Sequence, residues 1–542
     1  MRTVVDAILD RPGDGALTVL TGSGETTRGT WAEVDLLARR IAGVLRRDGL
    51  GPGCRVGLLA DTGVELIATL QGVWLVGGAV TVLPVPPRRG GVDRHELTRA
   101  VAADAGFHLV VAADEVPAGA VPPGTPLVSL AALVRRAAGS TPTVVTRPDP
   151  TDLAVLQYTS GSTRRPRGVP VSHAHLAANL RAIRDATDHE RDHPGPLLSW
   201  LPLYHDMGLV GALTLTMTCG CAAVLVSPAA FVRQPAVWLA AVRTYRPTWS
   251  GGPNFAFALL TRLLRRSPEA DLSSLRHLVS GGEPVDASTM AGFLDEAARH
   301  GLDPRVFTPA YGLAESTLAV TCPPRGRGLR VDRVDPDVLA ARGIAMPATE
   351  GGRQRALVRL GRPVPGASVR IVDQHTGVAL GDRRVGHIEV GGPSVVGRYW
   401  GEPAGPPAGW LRTGDLGYVV DGELVVCGRE KDLVIVGGRN VHPADVEAAA
   451  AVVPGVRAGG VVAFGVPSPD GERLVVAVET TDIRPEVVRR AVRAAVVDRI
   501  GVAPAEVRTV PPRQLPKTTS GKLRRAEARR RYQRGEWGRT TG

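Results

Sequence analysis

Thr159-Ser160-Gly161-Ser162-Thr163-Arg164-Arg165-Pro166-Arg167-Gly168 follows the apolar run Leu153 to Tyr158. The run is short, aliphatic and bounded by turn-forming residues, which predicts a buried strand feeding a loop. After Thr159, four consecutive hydroxyl or glycine positions precede two arginines. Backbone N–H, hydroxyl and guanidinium donors in that arrangement can wrap phosphate oxygens. The loop is not of the GxxxxGK[ST] type, and a strand, Val169 to Val171, follows in place of a helix. Taken alone, the stretch is also compatible with an ordinary connection, so its neighbours decide its meaning.

On its N-terminal side, Thr30 and Glu33 form a capping-box pattern that opens an amphipathic helix. Trp31, Val34, Leu37, Ile41, Val44 and Leu45 share its apolar side, and Gly49-Leu50-Gly51-Pro52-Gly53 stops it. A strand at Arg55 to Leu59, a helix at Val64 to Val76 and a strand at Ala79 to Leu83 come next. Such alternation continues to about residue 320 and predicts layered α/β subdomains with largely parallel strands. Residues 84 to 91 and 115 to 125 are Pro and Gly loops. The apolar stretches Leu66 to Pro86 and Leu209 to Pro228 approach membrane-span length, but glycines break each and a proline ends it. Each predicts a buried helix running into a buried strand, not a membrane span.

On its C-terminal side, Arg325 to Arg359 loosens into charged, Gly-containing sequence. Short strands (Ser368 to Asp373, Gly386 to Val390, Gly422 to Cys427) then predict a small β-rich subdomain. After Arg429 the rhythm changes to strand Leu433 to Val436, helix Pro443 to Ala451, strands Gly459 to Val466 and Leu474 to Thr480, and helix Glu486 to Ile500. This predicts a small α+β C-terminal domain. The boundary falls near Gly428 to Asp432, giving a large domain of residues 1–428 and a small one of 429–542.

The chain has 542 residues, too many for one compact core. At 4% aromatic content, Val, Ala and Leu must fill the interior. The first ten residues lack an export signal because Asp6 and Asp10 interrupt them, so a cytoplasmic location is expected. Cys54, Cys219, Cys221, Cys322 and Cys427 form no CxxC pair and read as reduced, mostly buried residues. The net charge of +12 comes from arginines scattered among 53 acids with no aromatic platform, which argues against nucleic acid as a partner. Only three of the 65 basic residues are lysine: Lys431, Lys517 and Lys522. Lysine supplies a compact point charge that arginine cannot. Lys522 lies in Pro516-Lys517-Thr518-Thr519-Ser520-Gly521-Lys522, a turn before an Arg-rich helical end, and suits a reaction that develops negative charge.

Four further segments follow the Thr159 loop in order: Tyr311-Gly312-Leu313-Ala314-Glu315-Ser316, Thr413-Gly414-Asp415-Leu416-Gly417, Gly428-Arg429-Glu430-Lys431-Asp432, and the Lys522 loop. With this ordered set the chain resembles, over essentially its whole length, the adenylate-forming enzymes: acyl-CoA synthetases, nonribosomal peptide synthetase adenylation domains and luciferases. The resemblance implies that Thr159, Ser160, Gly161, Ser162 and Thr163 hold ATP phosphates. It implies that Tyr311, beside Gly312, stacks on adenine, and that Gly281, Gly282 and Glu283 line the same pocket through mainly backbone contacts. It further implies that Glu315 holds Mg²⁺ and that Asp415, supported by Arg429, accepts the ribose hydroxyls. Lys522 would reach the acyl carboxylate and α-phosphate after rotation of a mobile C-terminal domain about Lys431. Many family members carry lysine where this chain has Arg167, so that position is not expected to be catalytic.

Within the superfamily the chain is most similar to the fatty acyl-AMP ligase branch. Trp200-Leu201-Pro202-Leu203-Tyr204-His205-Asp206-Met207-Gly208-Leu209 resembles that branch's acyl entrance, with His205 near the reacting carboxylate. Ser250-Gly251-Gly252-Pro253-Asn254-Phe255-Ala256-Phe257 resembles its acyl-pocket wall, in which Gly251 and Gly252 leave room and Asn254 and Phe255 line the substrate. The interval of 49 residues between Gly312 and Gly361 is long, and its excess, about residues 325 to 355, fits an insertion that restrains the C-terminal domain. Disorder is the alternative for this stretch. Gly438-Arg439-Asn440-Val441-His442-Pro443 also looks like this branch.

The implied reaction is activation of a carboxylic, fatty acid by ATP to acyl-AMP, then transfer to the phosphopantetheine thiol of an acyl carrier protein in trans. Transfer to free CoA is the alternative acceptor, and a non-catalytic nucleotide-binding scaffold is the alternative class.

Overall fold

The computed structural model describes the chain except residues 1, 22–25, 86–92, 115–118, 160–165, 189–194, 404–408, 437–438, 469–470, 483, 518–521 and 538–542. Ser160, Gly161, Ser162 and Thr163 lie outside the described residues.

Two large sheets organise the N-terminal part. One runs, in spatial order, Phe307–Pro309, His277–Ser280, Trp249–Gly252, Leu197–Ser199, Ala223–Val226, Ala16–Leu20, Thr26–Thr30. The other runs Leu127–Ser129, Leu109–Ala112, Arg55–Leu59, Ala79–Val82, Leu153–Thr159, Arg167–Ser172. Every neighbouring pair is parallel except the last of each sheet. Strands such as Ala223–Val226 and Leu109–Ala112 are buried at every position, as parallel strands covered on both faces must be. The expected layered α/β architecture is therefore present.

Helix Trp31–Arg47 starts with the predicted Thr30–Glu33 capping box and buries Trp31, Val34, Ile41, Val44 and Leu45. It packs on helix Val64–Leu75, which is buried from Leu66 to Leu75 and so belongs to the core between the sheets. That core is mostly Val, Leu and Ala, and two of its tryptophans spend their N–H groups on carbonyls: Trp31 donates to Cys221 and Trp74 to Ala154, each at 2.8 Å. All five cysteines are free. Among the described residues no helix is long and apolar enough to cross a membrane. The Leu209 to Pro228 stretch is a helix into a buried strand as expected, but Leu209–Thr214 is wound as a π-helix, which periodicity did not foresee.

His173 opens helix His173–Thr187 with no exposed surface. Burial pushes its imidazole down to about 4, against the raising influence of Asp152 and Asp6. In the unfolded chain the same ring titrates near ~6.5. The native state thus refuses a proton that the unfolded state accepts. Stability present above pH ~6.5 is lost as pH falls toward 4, by up to about 3 kcal/mol. The apparent melting temperature is expected to fall across this window, and less steeply in His173→Leu. Thermal scans at half-unit pH steps, compared between the two proteins, check this.

The β-rich subdomain is an antiparallel sheet of Ser368–Val372, Gly386–Gly391, Trp410–Val420 and Glu423–Arg429. Strand Trp410–Val420 was not expected, because Arg412, Thr413, Gly414 and Asp415 break its alternation; it carries the Thr-Gly-Asp motif. Arg429 ends the last strand, and Glu430–Asp432, with Lys431 at its centre, forms a single 3₁₀ turn leading out.

The C-terminal unit has its own core around Val446, Val461, Val476, Val488 and Val492. Its central strand Gly471–Thr480 pairs antiparallel with Val456–Ser468 and parallel with Glu506–Val510. The last of these strands, and Arg439–Val441, were absent from the expected elements.

Residues 325–355 are folded over strand Val331–Val334 and helix Pro336–Arg342, with Arg355–Val358 returning antiparallel to the strand. Buried acids anchor this hairpin to the β-rich sheet. Asp332 accepts from the Tyr418 hydroxyl at 2.7 Å and from Arg383 at 3.1 Å, and Glu423 pairs with Arg359 at 3.3 Å.

Candidate active site

A cavity of about 1770 Å³ lies between the N-terminal part and the C-terminal unit, lined by both. The C-terminal edges of the parallel strands form part of its wall, the usual location for a site in an open α/β sheet.

One corner is built by strand register. Asp415 lies opposite Arg429 in the β-rich sheet, and the Arg429 Nε donates to Asp415 Oδ1 at 3.0 Å. Tyr311 donates its hydroxyl to Asp415 Oδ2 at 2.7 Å. Burial, with Asp415 beside it, pushes the Tyr311 hydroxyl well above its ordinary range, so it stays protonated and acts as the donor. Arg429 is raised against its burial by Asp415 and Asp432. Gly312 follows Tyr311 where a Cβ would lie 2.0 Å from the Leu318 carbonyl oxygen, so only glycine fits this turn. The sequence placed Tyr311, Gly312, Asp415 and Arg429 in one pocket, and they share one corner.

Across the cavity, Lys522 reaches in from the C-terminal unit, with its Nζ 3.1 Å from His205 Nε2. His205 Nδ1 is 2.6 Å from Asp206 Oδ1. Burial lowers the Lys522 ammonium, Asp206 and Glu283 hold it up, and Arg429 lowers it again. Burial works to raise the Asp206 carboxyl, but His205 and Lys522 bring it below the usual carboxylate range. Gln157, on the strand that delivers the Thr159 loop, donates to the Tyr204 carbonyl at 2.8 Å and so ties that strand to the His205 segment.

Glu283 does more than the expected backbone lining. Its carboxylate accepts the Phe255 N–H at 2.8 Å, capping helix Asn254–Leu264, and burial raises it while Lys522 and Lys517 oppose. Gly281 lines the cavity beside it. Gly282 has a positive φ of 79°, and a Cβ there would lie 2.9 Å from Met207 Sδ.

On the side of the Thr159 loop, Glu315 accepts the Tyr399 hydroxyl at 2.6 Å. Arg167 lies 3.4 Å over the Tyr399 ring and pairs with Glu402 at 2.8 Å. Thr159 and Arg167 line the cavity. Tyr399, Glu402 and Asp206 were missed as site residues. Asp206 could have been found from its place beside His205, but nothing in the spacing points to Tyr399 or Glu402.

The apolar wall contains Trp200 stacked on Phe231 at 4.0 Å, with Phe255 edge-on at 5.8 Å. Asn254 and Phe255 both line the cavity, although Asn254 also spends its Oδ1 on the Asp286 N–H at 2.9 Å. Gly251 lines the cavity, where a Cβ on it would meet the Val279 carbonyl oxygen at 2.7 Å, and one on Gly252 would meet the Trp200 ring at 3.0 Å, so close packing also calls for glycine at both positions.

Behind the site the hairpin of residues 325–355 touches the C-terminal unit. Asp337 pairs with Arg439 and with Arg353 (3.1 Å), and Arg353 also donates to the Arg499 carbonyl at 3.3 Å. Arg355 lies 2.8 Å from Asp445 and donates to the Cys427 carbonyl at 2.7 Å. Arg355 was not anticipated, since no pattern marks a charge that is buried only by docking.

The family model described as AMP-binding enzyme matches residues 7–400. The Mycobacterium tuberculosis protein Rv1013 is 39% identical over 519 residues, covering 92% of this chain and 94% of the relative. The long-chain-fatty-acid–AMP ligase FadD26 of Mycobacterium marinum is 35% identical over 568 residues, covering 96% and 95%. A solved structure from work on fatty acyl-adenylate ligases of E. coli and L. pneumophila superposes with a TM-score of 0.90 at 31% identity, covering 99% of this chain and 98% of that one. With a family model spanning most of its length and relatives matched nearly end to end, this chain belongs to the AMP-binding enzyme family.

Proposed function

We propose that the chain is a fatty acyl-AMP ligase that activates a fatty acid with ATP and passes the acyl group to the phosphopantetheine thiol of an acyl carrier protein. The observation that carries this reading is Lys522, brought by a separately folded unit to 3.1 Å from His205 in the same cavity as the Tyr311–Asp415–Arg429 corner. Likeness to the FadD26 ligase supports the acid class.

In the first step a carboxylate oxygen of the acid attacks the α-phosphorus of ATP. The new C(O)O–P bond forms as the bond from that phosphorus to the bridging oxygen of pyrophosphate breaks. Asp415 holds the ribose hydroxyls, the Tyr311 ring covers adenine, and the Thr159 loop, with Ser160 to Thr163, surrounds the phosphates. Lys522 stabilises charge on the acyl carboxylate and α-phosphate. His205 orients the carboxylate end against the wall of Trp200 and Phe255.

Glu315 suits a hard divalent cation. One hydrogen bond from Tyr399 leaves a carboxylate further acceptor positions, and the residue lines the cavity. Mg²⁺ bound there would neutralise phosphate charge. In the second step the small domain, residues 429–542, turns about Lys431 and withdraws Lys522. A thiol sulfur then attacks the acyl carbon, AMP departs, and the thiol proton passes to solvent. The net charge of +12 favours encounter with an acidic carrier.

Acid-dependent pyrophosphate release across a panel of carboxylic acids, with and without a carrier protein, tests the reading. Release stimulated by fatty acids, with thioester appearing on the carrier, is expected; no release with any acid overturns it. The CoA alternative is tested at the hairpin. Its contacts through Asp337 and Arg355 restrain the C-terminal unit, so combining Asp337→Ala with Arg355→Ala is expected to raise thioester formation with free CoA about tenfold. Point changes are preferred to deletion because Asp332 is buried and would leave Tyr418 and Arg383 unpaired. Equal rates with CoA and carrier in the parent chain would favour the CoA ligase.

A further inference from the structure

We propose that Asp206 is a positioning residue for Lys522: by accepting the Nδ1–H of His205 it fixes the imidazole tautomer whose Nε2 receives the lysine ammonium, forming a three-residue relay that spans the two domains. The inference rests on the reading that Lys522 acts at the α-phosphate.

An ammonium has three donors and no acceptor, so at 3.1 Å the His205 Nε2 must present its lone pair. In a neutral ring the proton then sits on Nδ1, and Asp206 Oδ1 lies 2.6 Å away to accept it. The Met207 N–H is shared, donating to Asp206 Oδ1 at 2.7 Å and more weakly to His205 Nδ1 at 3.3 Å; the weaker arm is the one given up when Nδ1 carries its proton toward Asp206. Asp206 therefore accepts twice, from helix-start backbone and from imidazole, and is held in place by both.

The same geometry explains how the lysine is seated before any phosphate arrives. Glu283 and Asp206 are the acids facing Lys522, and Arg429 is the opposing cation. Of the two acids, Asp206 alone reaches the ammonium through an intervening ring, so its influence is directional. If Asp206 were lost, Nδ1 would have the Met207 N–H as its polar neighbour, which favours the opposite tautomer. Nε2–H would then point a donor at an ammonium, and the seat would repel the residue it holds. A carboxylate that sets the tautomer of a histidine is worth orders of magnitude in other enzymes.

The test is a double-mutant cycle in the full chain, using pyrophosphate exchange with a fatty acid. Asp206→Ala is expected to lower kcat about 10- to 100-fold while KM for ATP moves less than about twofold, because the Tyr311–Asp415 corner is untouched. Asp206→Asn, whose amide can donate to Nδ1 and hold the opposite tautomer, is expected to lose about as much as Asp206→Ala. In the Lys522→Ala background, Asp206→Ala is expected to have no further effect. An undiminished loss in that background would overturn the relay. Imidazole ¹⁵N NMR, with the His205 signal identified by His205→Gln, reads the tautomer directly, whatever reaction the chain catalyses. Protonation at Nδ1 in the parent and its shift in Asp206→Ala is expected; protonation at Nε2 in the parent overturns the proposal while leaving the ligase reading intact.

Discussion

Lys522→Ala is expected to slow acid-dependent exchange of pyrophosphate into ATP by about 10²- to 10³-fold, the usual cost of removing one group aimed at developing charge. The side chain enters the cavity from a unit with its own core and meets His205 at its tip. Burial and Arg429 lower its ammonium while Asp206 and Glu283 oppose them, and the net shift is downward. Lys522→Arg is expected to fare nearly as badly. A planar five-donor fork cannot occupy the space of a point charge 3.1 Å from an imidazole nitrogen. Exchange assays on both variants, with melting temperatures showing both folded, decide the matter, and parent-like rates in both would refute the role.

Asp415→Ala is expected to raise KM for ATP by about 10²- to 10⁴-fold, since two hydrogen bonds to a charged acceptor contribute about 1.5–3 kcal/mol each. The loss is compounded locally: Tyr311 and Arg429 both rely on this carboxylate, through contacts of 2.7 Å and 3.0 Å. Tyr311→Phe keeps the ring and removes one donor, and is expected to cost only a few-fold. A nucleotide-binding titration separates the two. An Asp415→Ala protein that binds ATP like the parent would remove this residue from the ribose site.

The Tyr311 corner shows why some of the site was legible. Asp415 and Arg429 are 14 positions apart and meet through one antiparallel strand pair. The motif order placed them together even though strand Trp410–Val420 itself went unrecognised. The Glu315 side was legible only in part. Tyr399 and Glu402 follow a loop with no periodic signal, and they reach Glu315 and Arg167 through folding of segments more than 80 positions apart in the chain. Arg167, set aside as a catalytic residue, pairs with Glu402 and stacks on Tyr399, a use that its planar guanidinium suits.

From residue order alone came the alternation of helices and strands, the change of rhythm after Arg429, the rare lysines of the last loop, and the set of motifs that implies adenylation. These are local properties: period, capping and turn chemistry act within a few residues, and a motif carries its own spacing. Only the tertiary structure decided that the excess after residue 325 is a folded post against the C-terminal unit, that Gly251 and Gly252 have protein atoms packed closely against them, and that Asp206 stands behind His205. Each depends on distances between segments remote in the chain, and burial and charge pairing arise only once those segments are packed together.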